Sequence, residues 1–228
     1  MTLFLVALAA FLLLHSVPAL PAIRMRLIGL LGRRLYLILY SVVSLLTLAW
    51  VFHAALQLDY VELWPPMAWQ AWVPIVLSPI AFFLLVAGLV SPNPGSITLR
   101  RGNASAGAIT TITRHPVLWS FALWAGSHLV ANGDLRSLLL FGAFALFALV
   151  GIATAERRAR RRQEPGFAEF ERSTTILPFA ALLSGRAHWR VDRAMLVALV
   201  LTAVLTFWLL AGGHAALFGA DPLAMTAI

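Results

Sequence analysis

Long apolar stretches alternate with short polar, arginine-bearing ones along the chain. A helix that crosses a bilayer needs about 20 mostly apolar residues. Six stretches fit that pattern: Leu3–Leu20, Leu35–Leu56, Trp72–Val90, Pro116–Ala131, Leu138–Ala155 and Ala194–Leu210. The fourth is short and opens on Pro116, which suits a first helical turn. The first lacks the basic start of a signal peptide. Pro18 and Pro21 crowd the place where a cleavage site would follow, so it reads as a retained span. The expected fold is all-α: a polytopic integral membrane helical bundle of about six transmembrane helices.

The polar connections carry an orientation signal. Sixteen arginines fall on one side: four between the first two stretches, three after the third (Arg100, Arg101, Arg114) and nine after the fifth. Only Arg136 falls on the other side. Arginine collects in cytoplasmic loops, so these loops are expected in the cytoplasm, with both termini periplasmic. Tyr60, Trp64, Trp69 and Trp72 form an expected interfacial belt on the outer side. Asn132-Gly133 marks a tight outer turn. Glu156–Arg172 reads as helical with a break near Pro165-Gly166. Ile176–Leu183 is apolar but too short to span, so it is expected in the inner interface.

Composition agrees. Hydrophobic residues make up 61%, charged residues 11%, and mean hydropathy is +0.88. Soluble domains are about 45–50% apolar and about 25% charged, so a soluble, disordered or disulfide-stapled chain is excluded and the lipid bilayer is the expected solvent. Cysteine is absent, which removes thiolate metal sites and cysteine nucleophiles. The net charge is +8, and every basic residue is arginine. No basic stretch interleaves with aromatics on a soluble element, so no nucleic-acid partner is expected. The lack of lysine fits a GC-rich bacterial genome and hence a bacterial inner membrane.

The six histidines are the candidate chemistry, because each can ligate a metal or move a proton. His188 lies in a polar loop. His214 follows Gly212-Gly213 at a span end, and His53 lies about one turn from an outer end. His15 is deep enough to need a partner, and His128 follows Ala125-Gly126-Ser127, small residues that let a helix approach. Both read either as a buried histidine bonded to serine or carbonyl, or as a ligand or base. Arg114-His115-Pro116 closes a loop at a helix start, where free N–H groups favour an anion and Arg114 could clamp it; the alternative is a headgroup anchor. His115 and His128 are 13 residues apart, ~20 Å along one helix and on nearly opposite faces, so they cannot share one metal ion.

His15-Ser16, Thr113-Arg114-His115-Pro116 and Trp124-x-x-x-His128-Leu129-x-x-Asn132-Gly133-Asp134 together resemble the NnrU family of membrane proteins. The tail from Arg172 to Arg186 and the last span with His214 resemble that family's ζ-carotene isomerase branch. The likeness covers nearly the whole chain and implies one transmembrane domain over 1–228, with a core of 1–186 and a last helix at about 194–211. It implies a link to denitrification or to carotenoid biosynthesis. The branch implies haem b and cis–trans isomerisation of an apolar polyene, with His15 and His128 as iron ligands. His115 is the substitute ligand and Arg114 a partner for a haem propionate. The branch carries a cysteine where this chain has Ala125. A second likeness, through Arg114-His115-Pro116, Trp124, Glu156, Phe167, Phe170 and Pro178, is to isoprenylcysteine and phospholipid methyltransferases. It implies cytoplasmic S-adenosylmethionine binding, although Leu118, Ser120 and Arg157 depart from that pattern. A third reading is a non-enzymatic membrane factor in nitric oxide or haem metabolism. Oligomeric state is left open.

Overall fold

The computed structural model describes residues 1–17, 20–100, 105–162 and 166–227, without the Arg162 side chain. Pro18, Arg101 and Pro165, which figure in the reading above, lie outside the described residues. The described chain is helical, and its only β feature is one isolated bridge, Glu62 to Asp134. In order, the helices are α1 (Thr2–Ser16), α2 (Pro21–Leu31), α3 (Arg33–Leu56), α4 (Ala68–Val90), α5 (Pro116–Ala131), α6 (Leu135–Arg162), α7 (Phe167–Ser173), α8 (Ala180–Leu183), α9 (Arg193–Trp208) and α10 (His214–Phe218). A 3₁₀ turn, Ala108–Thr111, precedes α5, and a π turn, Leu209–Gly213, joins α9 to α10.

Among the described residues, four helical stretches are long and apolar enough to cross a membrane: α3, α4, α6 to Arg161, and α9 continued through α10. The bent pair α1 and α2 makes a fifth if it is one span. The sequence pattern suggests six; the difference lies in the first and fourth stretches. α1 stops at Ser16. α5 has 16 residues, about 24 Å of helix against the roughly 30 Å hydrocarbon layer.

The chain forms two compact units. The first comprises residues 1–62 and 134–140. Here α1 packs on α3, burying Phe4, Ala7, Phe11, Val51, Ala54 and Ala55. Gly32 joins α2 to α3 at φ 73°, a left-handed conformation open to glycine. Asp134 caps α6, accepting from the Ser137 backbone N–H and hydroxyl.

The second unit, 63–133 with 141–228, is built around α4, which packs on both α5 and α9. Leu84 and Ala87 of α4, Ala108, Ile109 and Ile112 before α5, and Met195 and Ala198 of α9 form its core. The α4–α5 crossing is close because residue 88 is glycine: a Cβ there would stand 2.8 Å from carbons of Pro116 and Val117. Asp192 caps α9 through Met195 N–H and also accepts from Ala108 N–H, tying the 3₁₀ turn to that helix. Large apolar side chains such as Leu45, Leu46, Val200 and Phe207 remain exposed. Their natural environment is the lipid bilayer.

Candidate functional site

α5 starts where Pro116 supplies a preset φ and needs no hydrogen-bond partner for its nitrogen. That start holds Arg114 and His115 just outside the helix. Two other segments fix the entry. Asn93 donates to the Arg114 carbonyl (2.9 Å), and its own side-chain oxygen accepts from Gly95 N–H. The segment 174–179, which ends in a turn, forms a strap over the same entry. Arg114 N–H donates to Thr175 O, Thr113 hydroxyl and Trp119 Nε1 both donate to Ile176 O, and Phe179 N–H donates to Ile112 O. The strap holds Phe179 in a left-handed conformation (φ 64°).

Inside this frame lies a buried ionic cluster. Arg114, 4% exposed, uses its whole guanidinium on the protein. Nη1 donates to both Glu156 carboxylate oxygens (2.8 and 2.7 Å), Nε donates to Thr174 Oγ1, and Nη2 donates to the carbonyls of Glu171 and Thr174. The Phe170 ring lies 5.9 Å from the guanidinium carbon. His115, 0% exposed, lies against the same carboxylate: Nε2 donates to Glu156 Oε1 at 2.7 Å, and Nδ1 pairs with the Ser96 hydroxyl at 2.9 Å. Arg160 closes the cluster, donating to Glu171 Oε1 and standing 3.7 Å from Glu156.

The charges balance when His115 is neutral: two arginines face two carboxylates. Burial pushes the His115 imidazole below its usual value, and the Glu156 hydrogen bond and charge pull the other way. A neutral ring that donates from Nε2 accepts at Nδ1, which matches the Ser96 hydroxyl as a donor. The groups saturate one another, so the cluster is a clasp that fixes the entry of α5 against α6 and α7. Arg114 and His115 are thus brought together with Glu156. The reading from sequence did not include Ser96, Thr174, Glu171 and Arg160 among the candidates.

The two histidines favoured on sequence occur in different units. In the first, His15 Nδ1 donates to Phe11 O (2.8 Å), and the ring lies 4.0 Å from Phe11 and 5.9 Å from Tyr40. In the second, His128 Nδ1 donates to Trp124 O (2.8 Å), with Trp124 and Phe141 rings 5.1 and 5.2 Å away. A carbonyl can only accept, so both Nδ1 atoms carry a proton. A histidine that ligates a metal through its other nitrogen commonly makes this same bond to a carbonyl. His214 has the same bond to Ala220 O, across the turn at Gly219. His53 and His188 are exposed. No group of three or more histidine, aspartate or glutamate side chains arranged for a metal ion occurs among the described residues.

The rest of the Trp124–Asp134 motif has structural work. Asn132 backbone and side-chain N–H groups both donate to His128 O, ending α5. The Gly133 carbonyl accepts from Leu63 and Trp64 N–H, and a Cβ at Gly133 would lie 2.1 Å from Trp64 O.

Exposed apolar helices around a buried, charge-balanced clasp define an integral membrane protein with a helical core. Within that class the chain belongs to the NnrU family, whose protein-family model matches residues 3–222. No curated protein and no solved structure matches the chain.

Proposed function

We propose that this NnrU-family protein binds haem b, for which His15 and His128 would be the candidate ligand residues. The observation that carries the reading is the shared bond of the two rings. Each Nδ1–H is fixed on the carbonyl four residues earlier, so each imidazole is oriented as a ligand ring would be. Aromatic rings around both histidines suit a flat apolar macrocycle. Arg114 and His115 are left out of this ligand set, because their polar atoms are already taken up in the clasp.

Bound haem would supply an iron centre able to change the electronics of a conjugated chain. The protein's part is to hold the ring nitrogens, exclude water and admit an apolar polyene from the bilayer. The activity proposed is cis–trans isomerisation of such a polyene, in the carotenoid-type or nitric oxide-linked setting of the family, at the bacterial inner membrane. Purified wild type in liposomes should convert a cis polyene to the trans isomer, read by chromatography. His128→Ala and His15→Ala should each abolish conversion and shift or remove the haem absorbance, while His53→Ala should leave both unchanged. An unaltered spectrum in both ligand variants would exclude the pair.

A further inference from the structure

The second unit holds a cavity of about 360 Å³ beside the clasp, on the far side of Thr174 and Phe170. Its walls come from three places: Ala106, Thr110 and Thr111 before α5; Phe170, Ser173 and Thr174 at the end of α7; and the segment Arg186–Arg190. Two arginines and a histidine line it, and no carboxylate does. Among the described residues, the acids nearby in sequence are otherwise engaged. Glu169 pairs with Arg172, Glu171 with Arg160, and Asp192 caps α9. Among the described residues, neither Arg186 nor Arg190 has an ion-pair partner.

The two unpaired guanidiniums at one cavity, each with five N–H donors, have the chemistry of a phosphate receptor. The surroundings favour one source of phosphate. Leu177, Phe179, Leu183 and Trp189, all exposed, occur on the same stretch of chain as Arg186 and Arg190. Apolar side chains and a tryptophan beside arginines characterise a segment lying at the headgroup level.

We propose that this cavity is a binding site for the phosphate of an anionic phospholipid headgroup, with Arg186 and Arg190 as the clamp and Leu177, Phe179, Leu183 and Trp189 seated among the acyl chains. The site is independent of haem: it shares no residue with the proposed ligand set. It gives the strap 174–179 a second anchor, since Thr174 belongs to both the cavity wall and the clasp.

Native mass spectrometry of the full chain in detergent tests this, with phosphatidylglycerol, phosphatidylcholine and inorganic phosphate as probes. The wild type should retain phosphatidylglycerol about tenfold better than phosphatidylcholine, whose quaternary ammonium sets a positive charge beside the two guanidiniums. The double variant Arg186→Gln/Arg190→Gln should lose that preference. Ser173→Asp, which sets a carboxylate in the cavity wall, should lose it too and covers the case in which the double variant fails to fold. Arg158→Gln, exposed on α6, should keep it. An equal loss in Arg158→Gln would show bulk charge rather than a site and overturn the proposal. So would retention in Ser173→Asp, or millimolar inorganic phosphate displacing the lipid completely.

Discussion

Glu156 is where the polar chemistry of the second unit converges. It carries a negative charge at the end of a long apolar helix, and it is held by Arg114, His115 and, more distantly, Arg160. Removing one partner of a buried pair leaves the other charged and unsolvated, at a cost of about 3–5 kcal/mol. Glu156→Gln should therefore lower the unfolding temperature in detergent sharply, whereas Glu169→Gln, in an exposed pair, should leave it unchanged. His115 adds a pH dependence. Its folded imidazole holds a proton less readily than the free side chain. Its contribution is thus full above the unfolded value near 6.5 and is lost as pH falls below it. Thermal unfolding followed from pH 8 to 5 should show stability falling on acidification, and His115→Gln should flatten that profile. Arg114, His115 and the lone acid at the span end could be picked out in the sequence. Their contact could not, because 41 residues separate His115 from Glu156, and Thr174, Glu171 and Ser96 have no signal of their own.

At the scale of elements, glycine sets how closely segments approach. Gly133→Ala should destabilise the protein strongly, since its methyl group would meet the Trp64 carbonyl. Gly126→Ala, with nothing within 4 Å, should cost nothing and can gain a few tenths of a kcal/mol of helix propensity. Melting curves of the two variants separate the effects. The long helices α3, α4, α6 and α9 were legible because lipid imposes length and apolarity on each of them. α1 and α5 were harder to place, because at 15 and 16 residues each falls short of the length a full crossing needs. Pro116 marks a helix start in sequence and structure alike, and Gly166, φ 82°, precedes α7 where the sequence suggests a break. The strap 174–179 was not foreseen, since it is held by side-chain and backbone bonds to the entry of α5 rather than by any local pattern.

At the scale of the molecule, the arginine distribution is the source of the proposed orientation. The natural absence of cysteine makes that testable with single substitutions. Ser184→Cys should react with an impermeant thiol reagent only from the cytoplasmic side, and Met67→Cys only from the outside; the reverse pattern would invert the topology. Family membership spans nearly the whole chain, and the residues that carry it fall into two sets. Arg114, His115, Asn132, Gly133 and Asp134 hold the structure, while His15 and His128 are oriented by their Nδ1 bonds to backbone carbonyls. The central claim is that these two histidines serve haem b. The most direct test is the visible spectrum of the folded, detergent-purified wild type from haem-replete cells. A Soret band with b-type haem at about one per chain is the predicted result, and a well-folded protein with no Soret band would contradict it.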